Sequence, residues 1–126
     1  MIGRLFLCLM LSLQLIACSG VGVNAEQKDF KAQYIWGEGV NAVHICNEDK
    51  EYWVRAQPKT LGELERGYLR LTSTPYEYVY ITFKGELLNE KLDGFAENYD
   101  GYMRVSELLT IAATVPKNCL MKSVKK

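Results

Sequence analysis

Residues 52–88 read YWVRAQPKTLGELERGYLRLTSTPYEYVYITFKGELL, and the order of patterns inside this stretch decides the fold. Tyr52-Trp53-Val54 has the aromatic and β-branched character of a strand. Pro58 and the run Thr60-Leu61-Gly62-Glu63 then announce a helix, because a hydroxyl followed three residues later by a glutamate can satisfy two of the unpaired amides at a helix start. Leu61, Leu64, Tyr68 and Leu71 fall on one face at helical spacing, while Glu63, Glu65, Arg66 and Arg70 point elsewhere. The helix is therefore predicted to bury one stripe against a sheet. Thr72-Ser73-Thr74-Pro75 ends it. Tyr76 to Leu88 is the longest strand signal in the chain, with Tyr76, Tyr78, Tyr80 and Thr82 on one face and Val79, Ile81 and Phe83 on the other. Gly85 marks a bulge or bend within it.

Upstream of this stretch, Phe30, Ala32, Tyr34 and Trp36 alternate with polar residues from Lys28 onward, which is the period of a half-buried strand. Gly37-Glu38-Gly39 interrupts the pattern. Val40 to Cys46 resumes it, with Val43 and Ile45 opposing His44 and Cys46. Asn47-Glu48-Asp49-Lys50 is a hairpin-type connection into the third strand. Downstream, Asn89 to Gly101 is a long, polar, glycine-punctuated connection with anchors at Leu92, Phe95 and Tyr99. Such a loop is either functional or packed by its own aromatics. Tyr102 to Ala112 reads as the last strand, and Pro116 to Cys119 leads the chain back toward the second. Five strands with a single helix between the third and fourth is the element order of an OB-type barrel, a mainly β fold.

The first 17 residues have a different character. Arg4 precedes an apolar run from Leu5 to Ile16 broken only by Ser12 and Gln14, the charged and hydrophobic regions of an export signal. At about 12 residues the run is too short to cross a membrane, which takes roughly 20. Leu15-Ile16-Ala17-Cys18 resembles the lipobox of bacterial lipoproteins, which implies acylation of Cys18, with palmitate among the acyl chains, and cleavage before it. A plain signal peptide is the alternative, but it leaves an odd thiol at the mature N-terminus. The expected organisation is a leader over 1–17, a lipidated tether over 18–27, an OB-type domain over 28–120 and a basic tail over 121–126. The small, polar tether keeps the domain close to its membrane.

Cysteine arithmetic agrees with this address. Cys8 leaves with the leader and lipid occupies Cys18, so Cys46 and Cys119 remain. In an oxidising compartment the pair is most simply a disulfide, with two buried free thiols as the alternative. Zinc is disfavoured, because there is no C-x-x-C and His44 is the single histidine. Loss of Arg4 leaves 14 basic against 15 acidic side chains, so no nucleic-acid footprint exists. Lys117, Lys122, Lys125 and Lys126 read as a solvated basic terminus.

The segments Asn41 to Val54 (NAVHICNEDKEYWV), Leu61 to Leu69 (LGELERGYL), Tyr78 to Leu87 (YVYITFKGEL) and the closing Pro116-x-x-Cys119 together resemble the C-terminal OB-type domain of the NlpE envelope-stress lipoproteins. The likeness covers roughly Gln33 to Cys119. It implies a disulfide between Cys46 and Cys119, an outer-membrane anchor, and a role in envelope sensing. The family's copper tolerance and kinase signalling are not implied, because its N-terminal lipocalin-like domain with a C-x-x-C is missing here. Ser19, directly after the lipidated cysteine, matches outer-membrane sorting, since an aspartate there retains lipoproteins in the inner membrane.

No catalytic constellation or cofactor motif stands out: there is no G-x-S-x-G, no H-E-x-x-H and no phosphate-cradling glycine loop. His44 reads as a strand residue with a satisfied hydrogen bond. Asp93, Glu97 and Asp100 do not fit a calcium loop and read as solvated. The row Tyr76, Tyr78, Tyr80 is a candidate contact face, because amphipathic tyrosines suit interfaces and aromatic rows on OB barrels stack ligands. Its alternative is that the rings cover the barrel beneath the helix or loop. The expected function is non-enzymatic: a lipid-anchored periplasmic domain acting by contact with an envelope protein. A glycan- or small-solute-binding module, or an inhibitor of an extracytoplasmic enzyme, are the rivals.

Overall fold

The computed structural model describes residues 27–120. The leader, Cys18, nearly all of the tether and the basic tail lie outside the described residues. The chain folds as β1 (Lys28–Gly37), β2 (Val40–Ile45), β3 (Glu51–Ala56), α1 (Pro58–Leu71), β4 (Val79–Leu88) and β5 (Tyr102–Ala112). A single 3₁₀ turn, Gly94–Ala96, interrupts the β4–β5 connection. The strands close in the order β1-β2-β3-β5-β4, with β4 returning to β1. All pairs are antiparallel except β3 with β5, which run parallel. A closed five-stranded barrel with one helix between β3 and β4 is the OB-type architecture that the element order predicts.

The interior follows from the alternation. Ala32 and Tyr34 of β1, Val43 of β2, Val54 of β3, Val79, Ile81 and Phe83 of β4 and Met103 and Val105 of β5 are buried together. Leu64 and Tyr68 of α1 join this cluster, so the helix closes an end of the barrel. Tyr34 and Tyr68 meet edge to face at 5.8 Å, and the buried Tyr34 hydroxyl donates to Asn41 Oδ1 at 2.8 Å. Burial first, and the Glu65 charge second, hold the Tyr34 phenol far above its ordinary range. Gly85 is a forced choice: the β4–β5 register shifts between Lys84 and Gly85. A Cβ there would lie 2.4 Å from the Arg104 carbonyl oxygen.

Three expectations need correction. The helix begins at Pro58 with Gln57 as its cap and no side-chain capping bond. Proline at the first position supplies the fixed φ and removes one of the amides left unpaired at a helix start; the helix therefore starts before Thr60, and the Thr60–Glu63 box is not used. Thr60 is buried and directs its hydroxyl toward the Ser106 carbonyl at 3.5 Å. The buried helical face is Thr60, Leu64, Gly67 and Tyr68, with Leu71 exposed. Gly67 lets α1 approach β5 so closely that a Cβ would meet Ile111 at 3.0 Å. Finally, β4 begins at Val79, because Tyr76 takes a left-handed φ of 63° that a strand cannot contain.

Cys46 and Cys119 form a disulfide with Cα atoms 4.4 Å apart. It fastens the segment after β5 to the end of β2. Alongside it Asn47 Nδ2 donates to the Asn118 carbonyl at 2.7 Å and the Asn47 amide to Leu120 O at 3.2 Å.

Candidate functional site

The β1–β2 turn, Gly37-Glu38-Gly39, is the organising feature of one end of the barrel. Both glycines are approached by aromatic rings. A Cβ on Gly37 would lie 2.6 Å from Tyr76 Cε1, and one on Gly39 would lie 3.5 Å from Phe95 Cε1. Two rings from distant loops thus bracket the turn. The Tyr76 hydroxyl donates to the Glu38 carbonyl at 3.3 Å, fixing the first ring in place. Its left-handed backbone costs of order 1 kcal/mol or more for a bulky residue, and this conformation carries the ring over Gly37.

On the Phe95 side the long β4–β5 loop is ordered by the outward face of β3. Trp53 alternates with the buried Tyr52 and Val54, so its indole leaves the barrel and stacks on Phe95 at 6.3 Å with the rings 12° apart. Tyr99 meets the same indole edge-on at 5.4 Å. Backbone bonds lock the join: the Asp100 amide donates to Glu51 O and the Trp53 amide to Gly101 O, each at 2.9 Å. The Asp100 carboxylate accepts the Glu51 amide at 2.8 Å, and Asp93 accepts the Tyr102 hydroxyl at 3.1 Å. Asp93 and Asp100 therefore serve separate loop-fixing bonds. Among the described residues no cluster of histidine, cysteine and carboxylate groups suits a metal ion.

On the Tyr76 side lies an open groove of about 470 Å³, lined by Trp36, Gly37, Glu38, Tyr68 and Leu69 of α1 and residues 72–76. Tyr68, in its floor, is edge-on to Trp36 at 6.2 Å and donates its hydroxyl to the Glu77 carbonyl at 2.6 Å. Leu69 and Tyr76 flank it, 58% and 49% exposed. Phe95 across the turn is 74% exposed.

The predicted tyrosine row does not share one strand face. Tyr76 belongs to the groove, and Tyr78 precedes β4. Burial first, then Glu51, Tyr99 and Tyr68, raise the Tyr78 phenol above its ordinary value. Tyr80 lies within β4, opposite Gln33 and Ala112. No family model matches the chain, and no curated protein or solved structure matches it at a significant level.

His44 is buried with Nε2 at 2.7 Å from Glu48 O, a satisfied strand histidine as expected. Of the three loop anchors, Phe95 is the reverse of the expectation: the buried residue is its neighbour Ala96, because a 3₁₀ turn sends successive side chains in different directions. The groove, Trp36 and Leu69 were not singled out in the sequence. The groove's signal in the sequence is the pair of glycines on both sides of Glu38 next to Trp36, and the Phe95 support has its own, a tryptophan at position 53 out of phase with Tyr52 and Val54.

Proposed function

We propose that this chain is a lipoprotein anchored through Cys18 in the outer membrane, whose OB-type domain faces the periplasm and acts by contact with another envelope protein in sensing or assembly. The address rests on the leader and the Leu15-Ile16-Ala17-Cys18 run, and Ser19 favours the outer membrane. The Cys46–Cys119 disulfide fits an oxidising compartment. The contact mode is carried by one observation: Phe95 is held three-quarters exposed on a loop whose other aromatic, Tyr99, packs on Trp53. A large apolar ring displayed on an ordered support is the form of an interface anchor.

Two measurements test this. Cys18→Ala should abolish incorporation of labelled palmitate and release the protein from the membrane fraction, since the acyl chains supply about 0.8 kcal/mol per buried CH₂; normal retention of that variant contradicts the anchor. A photo-crosslinking residue at Phe95, used in living cells, should capture one envelope protein reproducibly, and its absence from the captured set after Trp53→Ala should confirm that the displayed ring is responsible. The groove favours a second reading, a small-solute or glycan module, because about 470 Å³ is the size of ordinary small-molecule sites. A rise in melting temperature with added glycans would select it.

A further inference from the structure

We infer that the groove beside Tyr76 receives a basic side chain, a lysine or arginine, presented by the partner protein. This rests on the protein-contact reading above and adds the chemistry of the partner's anchor. Two partly exposed rings line the groove: Trp36, backed by the buried Tyr68 that meets it at 61°, and Tyr76, which is 49% exposed. An accessible ring attracts a cation through its negative face, and the groove offers two.

The formal charge lining the groove is negative. Glu38 is the one formally charged residue lining it. The Glu77 carboxylate is held against the adjoining segment, accepting the Ser73 amide at 3.3 Å and the Thr74 hydroxyl at 2.6 Å. The groove also opens at the C-terminal end of α1, where the helix dipole is negative. Arg70, the basic residue of that last turn, is exposed and does not line the groove. Leu69 and Pro75 leave an apolar flank, which suits the methylene stem of a long basic side chain while its head reaches the rings and Glu38. An acidic or purely apolar anchor would leave that negative potential unanswered.

The test uses the mature lipidated protein purified in a non-ionic detergent, labelled for amide and indole resonances. It is titrated with Ala-Ala-X-Ala-Ala peptides in which X is lysine, arginine, norleucine or glutamate, and separately with tetramethylammonium. Lysine and arginine peptides are expected to shift the Trp36 indole and Gly37 amide saturably, less so as salt is raised, with norleucine and glutamate peptides at least about fivefold weaker. Glu38→Gln, an exposed turn residue, is expected to weaken the lysine peptide about threefold or more. Tyr76→Leu, which keeps an apolar wall, should weaken lysine more than norleucine.

Equal binding of norleucine and lysine overturns the inference, as does a response confined to residues away from the groove. Binding of tetramethylammonium without the peptides also overturns it, in favour of a small-solute site. A partner captured through Phe95 together with a silent groove removes this inference and leaves the contact reading intact. A specific lysine response with no partner captured supports the groove's chemistry and sinks the contact reading instead.

Discussion

The Gln33 side chain on β1 donates its Nε2 hydrogen to the Cys119 carbonyl at 3.1 Å, in buried surroundings and across 86 residues of sequence. The C-terminal segment is thus docked by hydrogen bonds from Gln33 and Asn47 as well as by the disulfide. Removing the bond should leave the native docking largely in place and act on the unfolded chain, which regains the freedom of a loop spanning 73 residues. Cys46→Ser, Cys119→Ser and the double variant are expected to lose similar amounts, up to about 4 kcal/mol. Urea unfolding measures the loss, and mass spectrometry of the unreduced protein confirms the bond. A loss under about 1 kcal/mol would show that the bond reports on the compartment more than it holds the fold.

Gly85 sits where β4 and β5 slip register, with the Arg104 carbonyl in the space a Cβ would need. Backbone cannot move aside as a side chain can. Gly85→Ala is expected to destabilise by about 1–3 kcal/mol, the usual range for overpacking. Gly37→Ala meets only the Tyr76 ring, and should displace that ring from the groove wall at smaller cost. Comparing the two melting curves separates backbone conflict from side-chain conflict.

The barrel was legible because inward positions repeat every second residue. Phe30, Ala32 and Tyr34, then Val79, Ile81 and Phe83, lie where the alternation puts them. The single helix between β3 and β4 was legible from its spacing and its proline. What failed was local competition: Pro58 displaced the Thr60 cap, and the positive φ of Tyr76 cut three residues from the predicted strand. Neither loss is visible in periodicity. The candidate site was the least legible part, since Tyr76, Phe95 and the β1–β2 turn meet only through the closure of the barrel. Their juxtaposition depends on long-range pairing of β4 with both β1 and β5.

Glu51 on β3 faces His44 across the β2–β3 ladder. Burial raises its carboxyl above the ordinary value; His44 works in the opposite direction, and Asp100 adds to the rise. A carboxyl raised on folding favours the protonated native state. Its stabilising contribution is complete below the unfolded-state value and is lost as pH climbs through the raised native one. Glu51→Gln removes this loss. The variant is expected to melt higher than the wild type at neutral pH, with the difference shrinking as pH falls below the ordinary carboxylate range. Melting curves across that range give the answer, and a difference independent of pH would exclude titration of Glu51 as the cause.

Phe95 allows folding and contact to be told apart. At 74% exposure its ring contributes little burial, and its stack on Trp53 is worth about 0.5–1.5 kcal/mol. Trp53 has a second aromatic partner in Tyr99, and the loop keeps its backbone bonds to β3 whether or not residue 95 is aromatic. Phe95→Ala should therefore stay folded, losing no more than about 1 kcal/mol. A ring buried at the centre of an interface typically costs 2 kcal/mol or more of binding when truncated, a loss of about thirtyfold or greater. With Leu69 carrying the photo-crosslinker, Phe95→Ala should reduce capture of the partner sharply while protein abundance and melting temperature hold. Undiminished capture would place the contact elsewhere on the barrel, and a large fall in melting temperature would assign the ring to the loop's packing.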